Sequence, residues 1–152
     1  MSGVTRRQAI TVGVTGGAAL LTGCSQPAAK KEPKASKVLD AMEGFRKKIP
    51  PDTRPELPDT GMTAEGMEPY TLYHLAWVAE GLGVATRTEC LVLLTYLKDS
   101  DLKLRFIAAH AIDKATNAYP NGMNIENITD IGSEGHRKML FRFLEVIEKL
   151  PA

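Results

Sequence analysis

Leu94-Thr95-Tyr96-Leu97-Lys98-Asp99-Ser100-Asp101-Leu102-Lys103-Leu104-Arg105, continued by Ala108-Ala109 and Ala111-Ile112, is the stretch whose reading decides the fold. Leucines close one apolar series, two aspartates follow, and a second apolar series opens at Leu104. A carboxylate placed just before a helix accepts hydrogen bonds from its first free N–H groups and sits at its positive end. Asp99 and Asp101 therefore mark a helix–turn–helix junction. Arg105, one turn into the second helix, is positioned to reach back to that turn, and the alanines let the two helices approach closely. The first helix begins at Thr86-Arg87-Thr88-Glu89, a capping box in which the hydroxyl and the carboxylate each meet a backbone N–H. It is predicted over 86–98. The second carries Leu104, Ile107, Ala108, Ala111, Ile112 and Ala115 at i, i+3, i+4, i+7 spacing and should run to about 118, with Lys103, Phe106, His110, Asp113 and Asn117 on its outer face.

Outward from this hairpin the helical period persists. Leu72, Leu75, Ala76, Ala79 and Leu82 make one face of a helix starting near Pro69 and stopped by Gly81 and Gly83. Tyr119-Pro120-Asn121-Gly122 breaks the chain, and 121–132 is a long connection with a short turn near 125–131. A last helix over 133–150 carries Met139, Leu140, Phe143, Leu144, Ile147 and Leu150. Val38, Leu39, Met42, Phe45 and Ile49 predict a short helix over 37–48. Pro50, Pro51, Pro55 and Pro58 then impose an extended connector, against which Tyr70, Tyr73 and Trp77 are expected to pack, unless they form an exposed recognition patch. No stretch alternates with period two, so the expected class is all-α, without a sheet.

Leu93 to Lys114 resembles the HEAT-like repeat family: leucines close one helix, Asp-x-Asp turns the chain, and an aliphatic–Arg pair with paired alanines opens the next. The likeness spans Thr86 to about Ala118, about a fifth of the chain. It implies short antiparallel hairpins stacked as a small HEAT-like α-solenoid, in which Asp99, Asp101 and Arg105 are structural. It also implies a non-catalytic role in binding protein through one exposed side. A single repeat cannot bury its own face, so the helices near 70–82 and 133–150 would serve as caps. The long 119–132 connection leaves an irregular helical bundle as the alternative.

The beginning of the chain reads as an address. Arg6-Arg7 precedes an uncharged stretch from Ala9 to Leu21, too short for a spanning helix, which needs roughly 20 residues. Leu21-Thr22-Gly23-Cys24 follows and resembles a lipobox, in which the cysteine is acylated and becomes the new N-terminus. Arg6-Arg7 resembles the pair of a twin-arginine signal, although Ala9 and Thr11 stand where that pattern favours Phe and Lys, and general secretion is the alternative route. The expected organisation is a removed signal peptide over 1–23 and a lipidated flexible tether over 24–36. A short helix plus Pro-rich connector over 37–66 and the HEAT-like helical domain over 67–152 complete it. The protein would then be exported and lipid-anchored to a bacterial membrane, facing the periplasm or extracytoplasmic space.

Composition narrows the function. Of 152 residues, 43% are hydrophobic and 24% charged, ordinary for a globular chain. Removing 1–23 takes Arg6 and Arg7 and no acid, leaving 17 basic against 18 acidic residues, with no pull toward nucleic acid. Cys90 sits in the apolar run Cys90-Leu91-Val92-Leu93-Leu94 and reads as a small buried hydrophobe. His74, His110 and His136 fall on different elements, and neither Cys-x-x-Cys, His-Glu-x-x-His, a phosphate loop nor Gly-x-Ser-x-Gly occurs. Asn124, Glu126, Asn127 and Asp130 offer oxygen ligands, but not at EF-hand spacing. No metal, cofactor or small-molecule substrate is expected. The leading expectation is a scaffold or interaction module whose candidate partner surface is Lys103, Phe106, His110, Asp113 and Asn117, facing an envelope protein. An accessory subunit of an exported redox enzyme complex and a structural envelope spacer are the alternatives. Mass spectrometry of the native polypeptide should show it beginning at an acylated Cys24; an intact Met1 without fatty acid would overturn this address.

Overall fold

A computed structural model describes residues 26–54, 65–67 and 70–152, with side chains from Lys34 onward where the chain is described. Arg6, Arg7, Leu21, Gly23 and Cys24 lie outside the described residues. The described residues contain six α-helices and no strand: α1 Gln26–Lys47, α2 Leu72–Glu80, α3 Arg87–Leu94, α4 Leu102–Thr116, α5 Ile125–Thr129 and α6 Glu134–Ile147. A 3-10 turn, Thr95–Lys98, follows α3 directly. Contacts divide the chain into Met1–Pro33 and Lys34–Ala152, and the core is built in the second unit. No helix among the described residues is long and apolar enough to cross a membrane.

The helix starts follow from side-chain chemistry. Thr71 Oγ1 accepts from His74 N at 3.0 Å, so α2 opens at Leu72; Pro69 lies outside the described residues. At Thr86 both halves of the capping box are present. Burial works against ionisation of Glu89, but donors from Ala85 and Thr86 outweigh it and keep the pKa below its usual value. Asp101, Asn124 and Ser133 begin α4, α5 and α6 in the same way, each accepting a backbone N–H of the first turn. α4 ends at Asn117, whose φ of 56° is left-handed, a conformation that asparagine tolerates better than most residues.

Two expectations are corrected. Residues 26–36 are helical, not a flexible tether, and continue without a break into the predicted helix. Ala28-Ala29-Lys30-Lys31-Glu32 and Ala35 are strong helix formers, and Pro27 lies in the first turn, where its missing N–H has no intrahelical acceptor. Only Pro33 removes a bond from the interior. The second half of α1 also belongs to the core, because Val38 and Met42 are buried together with Ile49 just beyond it.

The larger correction concerns α4. Leu104, Arg105, Phe106, Ile107, Ala108, Ala109, Ala111 and Ile112 are all buried, so this helix is enclosed on nearly every side. α2, α3, α5 and α6 all pack against it. A helix buried all round has no polar face to present. Phe106, expected on the outer surface, is only 7% exposed and belongs to the core. Leu75, Leu93, Leu97, Met139, Phe143 and Ile147 stand around α4, and Met42 joins the same core, each almost fully buried; each such side chain contributes about 1.5–3 kcal/mol through removal from water. Truncation Phe106→Ala should therefore cost about 3–5 kcal/mol of stability, read from urea denaturation, whereas an unchanged midpoint would put the ring at the surface.

Candidate interaction surface

The junction read from the sequence is built as a closed hydrogen-bond circuit. Asp99 Oδ1 accepts from Asp101 N at 2.8 Å, and Asp101 Oδ1 accepts from Lys103 N at 3.0 Å. Arg105 reaches back and donates from Nη1 to the Asp99 carbonyl at 2.6 Å. Its other nitrogens donate to Ile128 O at 3.0 Å and Thr129 O at 3.2 Å, the last carbonyls of α5. Burial lowers the pKa of this guanidinium from its very high ordinary value, with Asp99 and Asp101 opposing the shift.

A second arginine, absent from the sequence reading, completes the circuit from α1. Arg46 grips the Asp99 carboxylate with two bonds, of 3.0 and 2.6 Å, and also Glu43. Glu43 in turn accepts from the Tyr96 hydroxyl at 2.6 Å. Burial, and then Glu43, push the Tyr96 phenol up to about 12. The i, i+3 spacing of Glu43 and Arg46 was a legible signal for a helix pair. Their separate partners, Tyr96 for Glu43 and Asp99 for Arg46, each 53 residues away, were not.

The predicted partner surface does not assemble. Lys103 is half-buried beside Asp101, with Nζ 3.3 Å from Oδ1. Phe106 is in the core. His110 is half-buried, its ring stacked on Phe106 at 5.9 Å and its Nε2 3.4 Å from Glu80. Asp113 accepts from Tyr119 N at 2.7 Å, and Asn117 donates its backbone N–H to Asp113 O at 2.6 Å. Asp113 and Asn117 therefore finish the helix. Of the five, Asn117 alone is exposed.

The remaining singled-out residues are also structurally engaged. His74 Nε2 lies 2.7 Å from Pro50 O, and the Arg54 guanidinium stacks over Tyr73 at 3.8 Å, gripped by Asp52. The described part of the connector, 50–54, thus packs on the aromatic side of α2, while Pro55 and Pro58 lie outside the described residues. His136 is fully buried with Nε2 2.9 Å from Leu97 O. Cys90 is fully buried, and burial, helped by Glu89, pushes its thiol up to about 12. Asn124 accepts from Glu126 N as the α5 cap. Among the described residues, no three His, Cys, Asp or Glu side chains gather where a metal could be held.

What the structure does leave open is the outer face of α6. Phe141 is 76% exposed at mid-helix, and Leu144 is 45% exposed one turn on. Glu134, Arg137, Lys138, Arg142 and Glu145 line a shallow recess around Phe141. Leu144 also borders a second recess with Arg87 and the exposed Leu91 of α3. Sequence reasoning assigned Leu144 to the core and passed over Phe141. The signal was present, since at about 100° per residue Phe141 points away from Met139, Phe143 and Ile147. No family model matches the chain, and no curated protein or solved structure matches it.

The Arg46–Asp99 contact makes stability depend on pH. The guanidinium holds the Asp99 carboxyl below the usual carboxylate range, against an opposing effect of burial. A pKa depressed by folding contributes stability above the unfolded value of about 4 and loses it as pH falls through the folded value. Asp99→Asn should therefore be less stable than wild type at neutral pH, with urea midpoints converging below about pH 4. A gap independent of pH would mean that Asp99 acts through shape and not charge.

Proposed function

We propose that this protein is an exported, lipid-anchored interaction module without catalytic activity, tethered through Cys24 and binding a protein partner through the outer face of α6. The observation that carries this reading is Phe141, a large aromatic ring 76% exposed at mid-helix and bordered by charged side chains and Leu144. Buried aromatic anchors with polar rims are the usual energetic centre of protein interfaces.

The likeness of 86–118 to a HEAT-like hairpin supports a scaffold role, with Asp99, Asp101 and Arg105 joined at its turn. The lipobox-like Leu21-Thr22-Gly23-Cys24 supports anchoring outside the cytoplasm, where an envelope protein is the natural partner. A narrower version, an accessory subunit of an exported redox enzyme complex, draws its support from the Arg6-Arg7 pair.

Crosslinking in intact cells followed by mass spectrometry tests the surface. Phe141→Gln, an exposed substitution expected to change stability by no more than about 0.5 kcal/mol, should remove the crosslinked species formed by wild type. Identical crosslinked species from both proteins would overturn the assignment to α6.

A further inference from the structure

We propose that the occupant of the α6 face is a second copy of this chain, docked with its α6 antiparallel to the first about a two-fold axis at Phe141. The inference rests on the reading of α6 as the interaction surface and names its partner.

Charge and apolar surface share a single strip of α6. At about 100° per residue, Glu134, Arg137, Lys138, Leu144, Glu145 and Glu148 all lie within about 60° of the direction of Phe141. Arg137 and Lys138 precede the ring; Glu145 and Glu148 follow it. With Glu134 also before the ring, the strip carries a net charge of +1 on one side of Phe141 and −2 on the other, and Arg142 at its edge pairs with Glu145. A parallel second copy in register would set Arg137 against Arg137 and Glu145 against Glu145. An antiparallel copy centred on Phe141 sets Arg137 and Lys138 of each chain against Glu145 of the other, so each favourable pairing occurs twice. That is the self-complementarity an isologous interface requires.

The apolar parts fit the same register. The two Phe141 rings meet at the axis, and Leu144 of each copy falls beside Arg137 and Lys138 of the other, whose aliphatic stems can cover it. Leu91 extends the apolar border on the α3 side. At the ends, Glu134, paired in its own chain with Lys138 at 3.4 Å, faces Glu148 of the second copy, a like-charge contact that Lys138 and the neighbouring Lys149 of that copy offset. The existing ion pairs on this face do not oppose the exchange. Lys138–Glu134 and Arg142–Glu145 are both 3.4 Å apart and solvent-exposed, and exposed pairs contribute little.

The test uses the full chain in its own membrane. Helices packed at about 8–10 Å between axes bring facing Cα atoms near the range of about 4.4–6.8 Å that a disulfide spans. Phe141→Cys gives up the ring contact but leaves Leu144 and the charge order in place, and because oxidation traps each encounter at the axis irreversibly it should still yield a covalent dimer in intact cells, seen on a non-reducing gel, while Asn117→Cys, exposed at the far end of α4, should not. Cys90 is buried and does not compete.

On the Phe141→Cys background, Arg137→Glu with Lys138→Glu makes the strip wholly acidic, and Glu145→Lys with Glu148→Lys makes all but Glu134 basic. Each should lower the covalent dimer about tenfold through like-charge juxtaposition, and co-expression of the two should restore it. Dimer no more abundant than from Asn117→Cys, or unaffected by charge reversal, would overturn the inference. If self-crosslinking is absent but Phe141→Gln removes a crosslink to another protein, the second copy is wrong and the α6 surface stands. If both are negative, both readings fall.

Discussion

Arg105 donates to three backbone carbonyls at once, those of Asp99, Ile128 and Thr129, and the arrangement around α4 depends on that contact. Two of those carbonyls belong to the last turn of α5 and the third follows the 3-10 turn. Each helix leaves about four C-terminal carbonyls without an intrahelical partner, and a cation there also meets the negative end of the helix. The five-residue α5 has almost no internal stability of its own, because nucleation is costly and propagation has no room. Arg105 holds it from the side, and Ile128 anchors it in the core.

The same solution recurs at other ends. Arg87 donates to Glu148 O and Leu150 O beyond α6, while its backbone N–H donates to Pro151 O. His136 meets Leu97 O at the end of the 3-10 turn. A fold of short helices has many ends for its size. Here polar side chains that would otherwise suggest chemistry are engaged in closing them. His136 thereby takes a structural role beside Arg105, for which sequence had already suggested one.

How much was legible follows from the range of each interaction. Caps act within a few residues, so Thr86 with Glu89 and Asp101 before Leu102 were readable without a structure, as was the burial of Cys90 in a continuous apolar run. The α4 stripe was readable only in part. Leu104, Ile107, Ala111 and Ile112 were placed correctly, but the opposite side looked mixed, because Phe106 and Ala109 alternate with Lys103, His110 and Asp113. Whether such a face meets solvent depends on neighbours on that side, and α2 fills it. Arg46 and Asp99 are 53 residues apart, so local pattern gave no sign of their pairing. The stretch before Lys37 was misjudged because two prolines outweighed a run of alanines, lysines and a glutamate.

The enclosure of α4 also determines where apolar surface remains. Once the central helix is covered on nearly every side, its neighbours become the exterior, and each needs only one apolar stripe to face inward. α6 supplies that stripe with Met139, Phe143, Val146 and Ile147, which leaves Phe141 and Leu144 outside the requirement of the core. An exposed aromatic ring gains nothing for folding in that position, and isolated apolar residues on a surface are ordinary. Phe141 differs because it is not isolated: Leu144 continues along its helix, Leu91 lies across the adjoining recess, and charged side chains of both signs border the ring. An apolar centre ringed by charge is the arrangement that a docking face shares with an interface core and its rim.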